Sequence, residues 1–192
     1  MEPTSTLRER KKAATRQSLH ETALRLAVAR GLDGVTVEDI ADEVGVSRRT
    51  FSNYFANKED AVLYADRERM RRLLEVLRDR PADEPAWDAL RRGAADLYRR
   101  RAQRDPEWVA QLRLLRRHPS LLARQAGDQF TLERDLVDVL RERGEEDYEL
   151  SRLMAATFLG TLRTAGTLWF ENAGEVPLPD LLDRLLARVT FD

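Results

Sequence analysis

The chain has 192 residues, 42% of them hydrophobic and 35% charged, with a net charge of −1, which is enough apolar material for one sizeable domain or two small ones. It has no cysteine and only two histidines, His20 and His118, which excludes disulfides, thiolate metal sites and thiol nucleophiles and argues against a histidine-rich metal site. No apolar run approaches the ~18 residues of a membrane span, and the N-terminus lacks the apolar stretch of a signal peptide. The expectation is a soluble cytoplasmic protein with no membrane contact, no metal and no cofactor.

Period-2 alternation never persists beyond three or four residues, whereas helical periodicity recurs throughout. The expected fold is therefore all-α, with about nine helices. A first helix spans about residues 9–30, with Leu19, Ala23, Leu26 and Ala27 on one face and Gly31 as its stop. Within residues 8–16, Arg8, Arg10, Lys11, Lys12 and Arg16 face only Glu9. That local basic arm can matter for a polyanion, although charge alone favours a solvated terminus. Thr36 followed by Asp39 resembles a capping box opening a short second helix, which ends at Gly45. Ser47 caps a third helix to about Tyr54, and Asn57 caps a fourth over 57–79. Pro81 and Pro85 then break the chain. Further helices are expected over 86–103, 106–117, 119–143, 147–172 and 178–190, with Pro106, Pro119 and Pro179 in first turns and Gly144 and Gly174 as stops. The expected organisation is a helix-turn-helix domain over 1–60, a connecting fourth helix, and a larger helical bundle over 61–192.

The third helix carries the most informative chemistry. At about 100° per residue, Phe51 and Phe55 fall on one face with Tyr54 at its margin, while Arg49 and Asn53 point the opposite way between Thr50 and Ser52. An aromatic side would dock the helix and a polar side would face outward, as in a helix entering a DNA major groove. Arginine can bridge the O6 and N7 of guanine, and asparagine the N6 and N7 of adenine. Thr36 and Ser47 stand at helix N-termini, where free backbone N–H groups favour anions. Lys58 lies in the first turn of helix four, an unfavourable place for a cation without a nearby anion.

Residues 35–60, VTVEDIADEVGVSRRTFSNYFANKED, resemble the DNA-binding signature of the TetR family of transcriptional regulators, and LHETALRLAVARGLDGVT extends the likeness back through helix one. The resemblance covers about the first third of the chain. It implies a three-helix DNA-binding domain, a divergent C-terminal ligand-binding and dimerisation domain, and usually repression relieved by a small molecule. Carried over by position, base contacts fall on Arg48, Arg49, Thr50, Ser52 and Asn53, and phosphate contacts on Thr36, Ser47, Tyr54 and Lys58. Ala27 stands where the family often has Phe, and Ala61 where it often has Leu, which implies smaller packing between helices one and four. Glu38 occupies a position that sometimes carries a DNA-contacting basic residue.

Beyond residue 60 the motifs are broader. RTFSNYFANKEDAV and FLGTLRTAGTLWFENAG resemble a TetR subgroup that includes regulators responding to acyl-CoA-like ligands, which implies an acyl-CoA or similar amphipathic acid as effector; an apolar aromatic compound is the alternative. Trp87, Trp108, Phe158 and Trp169 are candidates to line an apolar pocket, with Arg113, Arg116 and Arg117 to meet an acidic group. All have a plain alternative as core aromatics or a solvated basic helix end. Ala156, Gly160 and Thr164 make a narrow strip on one helix, and Leu178, Leu182 and Leu185 an apolar stripe on the last. Two such helices from each of two chains would form a four-helix homodimer interface, the alternative being an intrachain core. No catalytic motif supports an enzyme. A protein-docking helix-turn-helix would be expected to expose apolar anchors in place of Arg49 and Asn53. The reading is a DNA-binding regulator, a repressor before an activator.

Overall fold

The computed structural model describes residues 7–99, 111, 114, 115, 117–172 and 174–191. These include nine helices and no strand: α1 Leu7–Arg30, α2 Val37–Val44, α3 Arg48–Ser52, α4 Lys58–Val62, α5 Tyr64–Arg78, α6 Ala86–Arg99, α7 Pro119–Glu142, α8 Tyr148–Glu171 and α9 Leu178–Leu186. The chain divides into two compact units. One is Met1–Asp66 with Pro106–Gln125, the other Arg67–Asp105 with Ala126–Asp192.

The first unit is built on local signals that close neatly. The Thr36 hydroxyl accepts from the Asp39 N–H at 3.1 Å, and the Asp39 carboxylate accepts the Thr36 N–H at 2.8 Å, a reciprocal cap that satisfies two orphan donors. Hydrogen bonds from the Thr36 hydroxyl and backbone hold the Asp39 carboxyl below its ordinary range. Gly45 ends α2 at φ 76°, in the left-handed region, where its N–H closes onto Ala41 and Asp42 carbonyls. Ser47 and Asn57 cap α3 and α4 through the N–H groups of Thr50 and Asp60. The core gathers Leu19, Ala23, Ala27, Ile40, Phe51, Phe55, Ala61 and Val62, all buried. Ala27 and Ala61 are 1% and 0% exposed, so small side chains do sit within the packing of α1 and α4.

Two expectations need correction here. The third helix is shorter than expected: α3 stops at Ser52, and Tyr54 N–H donates to the Phe51 carbonyl in a tighter turn. The fourth helix is not continuous. Leu63 separates α4 from α5, with Asp66 N–H bonded to the Leu63 carbonyl three residues back. Such a tightening is a 3₁₀-type turn, and no proline or glycine announces it.

The first unit also takes in residues distant in sequence. Leu114, Leu115 and Leu121 are buried in its core. His118 Nε2 faces the Leu32 N–H at 3.5 Å. Asp60, 5% exposed, receives Arg124 through two contacts, Nε to Oδ1 at 2.8 Å and Nη2 to Oδ2 at 3.1 Å. Such paired N–H donors match a carboxylate's two oxygens.

In the second unit, Leu73, Leu77, Leu90, Leu136, Leu140, Phe158 and Leu182 form the centre of one core. Helix α9 packs on α6 and α8, and the Trp87 ring meets Phe191 edge-on at 4.8 Å. The turn after α5 is organised by Arg143, whose guanidinium donates to the carbonyls of Leu77, Arg80, Pro81 and Glu84. Four carbonyls around one cation satisfy a helix C-terminus and the proline-bearing loop together. Beside them Glu84, whose side chain is 6% exposed, pairs with Arg80 at 2.5 Å and Arg92 at 2.9 Å. The Arg80 hydrogen bond holds the Glu84 carboxyl below its ordinary range.

Candidate nucleic-acid interface

Helix α3 is fixed from beneath and open above. Phe51 is 0% exposed and Phe55 6%, their rings tilted with centroids 5.8 Å apart, and Phe55 meets Tyr64 edge-on. Arg48, Arg49, Ser52 and Asn53 are exposed, and Thr50 and Tyr54 partly so. The expected division of the helix into an aromatic underside and a polar outer face is present. Asn53 is the residue that ends the helix.

The basic residues on this face differ in their partners. Arg48 reaches back to Glu38 on α2, Nη1 to Oε1 at 2.6 Å. Arg49 has no ion-pair or hydrogen-bond partner among the described residues. Thr36 and Ser47, both exposed, spend their side chains on helix caps, and Ser47 Oγ also meets Thr50 Oγ1 at 2.9 Å. Lys58 is tied inward: its ammonium donates to the Leu32 carbonyl at 2.8 Å and the Val35 carbonyl at 3.0 Å. Those carbonyls supply the negative partner that a cation in a helix first turn needs.

Sequence reasoning missed three positioning groups. Arg16 on α1 lies 5.8 Å from the ring centroids of both Tyr54 and Tyr64. His20 is fully buried, and its Nδ1 is 2.7 Å from the Ala61 carbonyl. A carbonyl only accepts, so that nitrogen carries the proton. The third is Arg124 on Asp60. No local pattern marks these pairs, because their partners are 38 or more residues away.

Residues 19–65 match the family model described as bacterial regulatory proteins, tetR family, and residues 84–191 match the model described as the MftR C-terminal domain. The chain is 31% identical over 176 residues to the HTH-type transcriptional regulator TcmR of Streptomyces glaucescens, covering 87% of this chain and 78% of that protein. The chain belongs to the tetR family of regulators. Among solved structures, the fatty acid degradation regulator FadR of Bacillus halodurans superposes with a TM-score of 0.62 at 21% identity, covering 90% of this chain and 93% of that one. FadR of Bacillus subtilis, in complex with stearoyl-CoA, gives 0.59 at 23% identity over 89% and 95%. FadR of Thermus thermophilus, in complex with lauroyl-CoA, gives 0.53 at 23% identity over 90% and 91%. At these identities the structures share the fold.

The regulator's second unit holds three of the aromatic candidates. Trp87 and Phe158 are buried in its core and Trp169 packs against it, partly buried. Trp108, Arg113 and Arg116 lie outside the described residues, and Arg117 is exposed. Of the six interface candidates, Ala156 and Thr164 are exposed and Gly160 partly so, with open space where a Cβ would project. Leu178 and Leu185 are half-buried, and Leu182 is 1% exposed within its own chain's core. The α8 strip also carries Leu153, 56% exposed. On α7, Phe130 is 78% exposed, and Glu133, one turn on, pairs with Arg152 of α8 at 3.0 Å. No helix among the described residues is long and apolar enough to cross a membrane.

Proposed function

We propose that this regulator is a repressor that binds a palindromic operator as a homodimer and is released by a small amphipathic acid, with long-chain acyl-CoA as the leading class. The observation that carries the DNA reading is Arg49, exposed and without a partner among the described residues on the face of α3 opposite buried Phe51. A guanidinium left unsatisfied by its own chain on a rigidly docked helix is suited to a guanine edge. In this reading Arg48, Arg49, Thr50, Ser52 and Asn53 face bases, and Thr36, Ser47, Tyr54 and Lys58 lie along the flanking phosphates. Arg48 would exchange or share its Glu38 partner on binding.

Dimerisation in this reading uses the exposed strip of α8, with Leu153, Ala156, Gly160 and Thr164, together with the exposed Phe130 of α7. Small residues let a second copy's helix approach closely, and exposed Phe and Leu supply apolar area. Helix α9 commits Leu182 to its own chain's core, while Leu178 and Leu185, half-buried, would take part at the edge of that packing.

The acyl-CoA class rests on the FadR neighbours that were crystallised with stearoyl-CoA and lauroyl-CoA and on the aromatic content of the second unit. Trp87, Phe158 and Trp169, all of the second unit, would border the acyl chain. Release requires only that the ligand prefer a dimer geometry in which the two recognition helices no longer match half-sites about 34–36 Å apart. Moving a population from 1:99 to 99:1 needs about 5.5 kcal/mol of differential binding, shared between two sites in a dimer. The test is a thermal-shift and DNA-release panel of acyl-CoAs, free fatty acids and uncharged aromatic compounds. Acyl-CoAs should raise the melting temperature and free the duplex. A panel in which acyl-CoAs are inert and only aromatic compounds act would overturn the acyl-CoA class.

A further inference from the structure

The N-terminal part of α1 carries a cationic row that the helix-turn-helix reading leaves unused. Helix α1 is described over Leu7–Arg30, and residues 7–14 are all exposed. Arg8, Lys12 and Arg16 recur every fourth residue and so lie along one side of the helix, with Lys11 beside them. Arg16 fixes where the row starts: its guanidinium lies against Tyr54, the residue that follows Asn53 at the end of α3. From there the row runs about 12 Å along the axis to Arg8, at about 1.5 Å per residue. Glu9 is the one acid among residues 7–16, and Arg8, Lys11 and Lys12 have no carboxylate partner among the described residues.

This arrangement works against the free protein's helix. Like charges four apart repel. That cost falls beside a polyanion. Double-stranded DNA offers one phosphate charge per ~1.7 Å of axis, dense enough to meet several cations along a 12 Å row. We infer that Arg8, Lys11 and Lys12 form a second DNA contact that grips the phosphate backbone next to the segment read by α3, without regard to base sequence. The inference rests on the DNA-binding reading above and extends its footprint to α1.

The test uses the full chain, the duplex it selects from a random pool, and a scrambled duplex of equal length. The triple variant Arg8→Gln, Lys11→Gln, Lys12→Gln should flatten the dependence of log Kd on log salt by about 2–3 per bound subunit, at about 0.9 per lost phosphate contact. Affinity should fall on both duplexes by the same factor, leaving their ratio unchanged. The charge-preserving triple Arg8→Lys, Lys11→Arg, Lys12→Arg should keep the wild-type slope. A glutamine triple that retains the wild-type slope on both duplexes would overturn the inference. So would loss of slope in the charge-preserving triple. A wild-type chain that selects no duplex would instead count against the DNA-binding reading itself.

Discussion

Lys58 is the position where family resemblance and local geometry make different demands, and its replacement by methionine separates them. Methionine keeps the unbranched stem and the helix propensity while removing the ammonium. In the free chain that ammonium serves the Leu32 and Val35 carbonyls at 2.8 and 3.0 Å in a partly buried site. Hydrogen bonds from a charged donor contribute about 1.5–3 kcal/mol each. Here one cation is shared between two acceptors that water can partly reach, so the combined loss should be about 2 kcal/mol. For a chain of this length that corresponds to a fall in melting temperature of about 4–8 °C. Thermal unfolding followed by circular dichroism reads this directly, and DNA titrations across salt read the phosphate role. Lys58→Met should lower the melting temperature by that amount and flatten the salt slope by less than one. An unchanged melting temperature with a slope flattened by a full unit would refute the carbonyl assignment and make Lys58 a phosphate ligand alone.

Other outcomes follow from the same geometry. Arg49→Ala should weaken binding to the selected duplex by about 1–3 kcal/mol and relax preference at one base position, read by competition against single-base variants. Gly160→Glu should yield folded monomers in sedimentation, since open space surrounds that position, whereas Leu182→Glu buries a charge in the core and should lose helical signal and fold. Glu84 titrates below its ordinary value of 4.5 in the folded chain, so its stabilisation is complete above that value and fades as pH falls through the lowered one. Glu84→Gln should therefore lose stability at pH 7 and show a weaker loss than wild type between pH 5 and 3 in urea titrations.

What was legible in the sequence was local. The Thr36–Asp39 cap, Gly45, the Ser47 and Asn57 caps and the two faces of α3 each depend on residues within one or two turns, and each is present. The break at Leu63 was hidden because Leu63 is an ordinary helix former, buried in the core, and the tightening there follows from packing. Long-range placement was equally silent. Nothing near Asp60 marks Arg124 as its partner, and nothing near Leu114 assigns it to the helix-turn-helix unit. The Leu178, Leu182 and Leu185 stripe was legible as amphipathic, but periodicity alone does not say which chain covers it.

The central claim is that α3 reads DNA as one half of a symmetric pair. Selection by the purified 192-residue chain from a random duplex pool, followed by sequencing, tests it most directly. Enrichment of an inverted repeat, lost in Arg49→Ala, is the result expected here. A pool that remains unenriched at low salt, while the chain is folded, would contradict it.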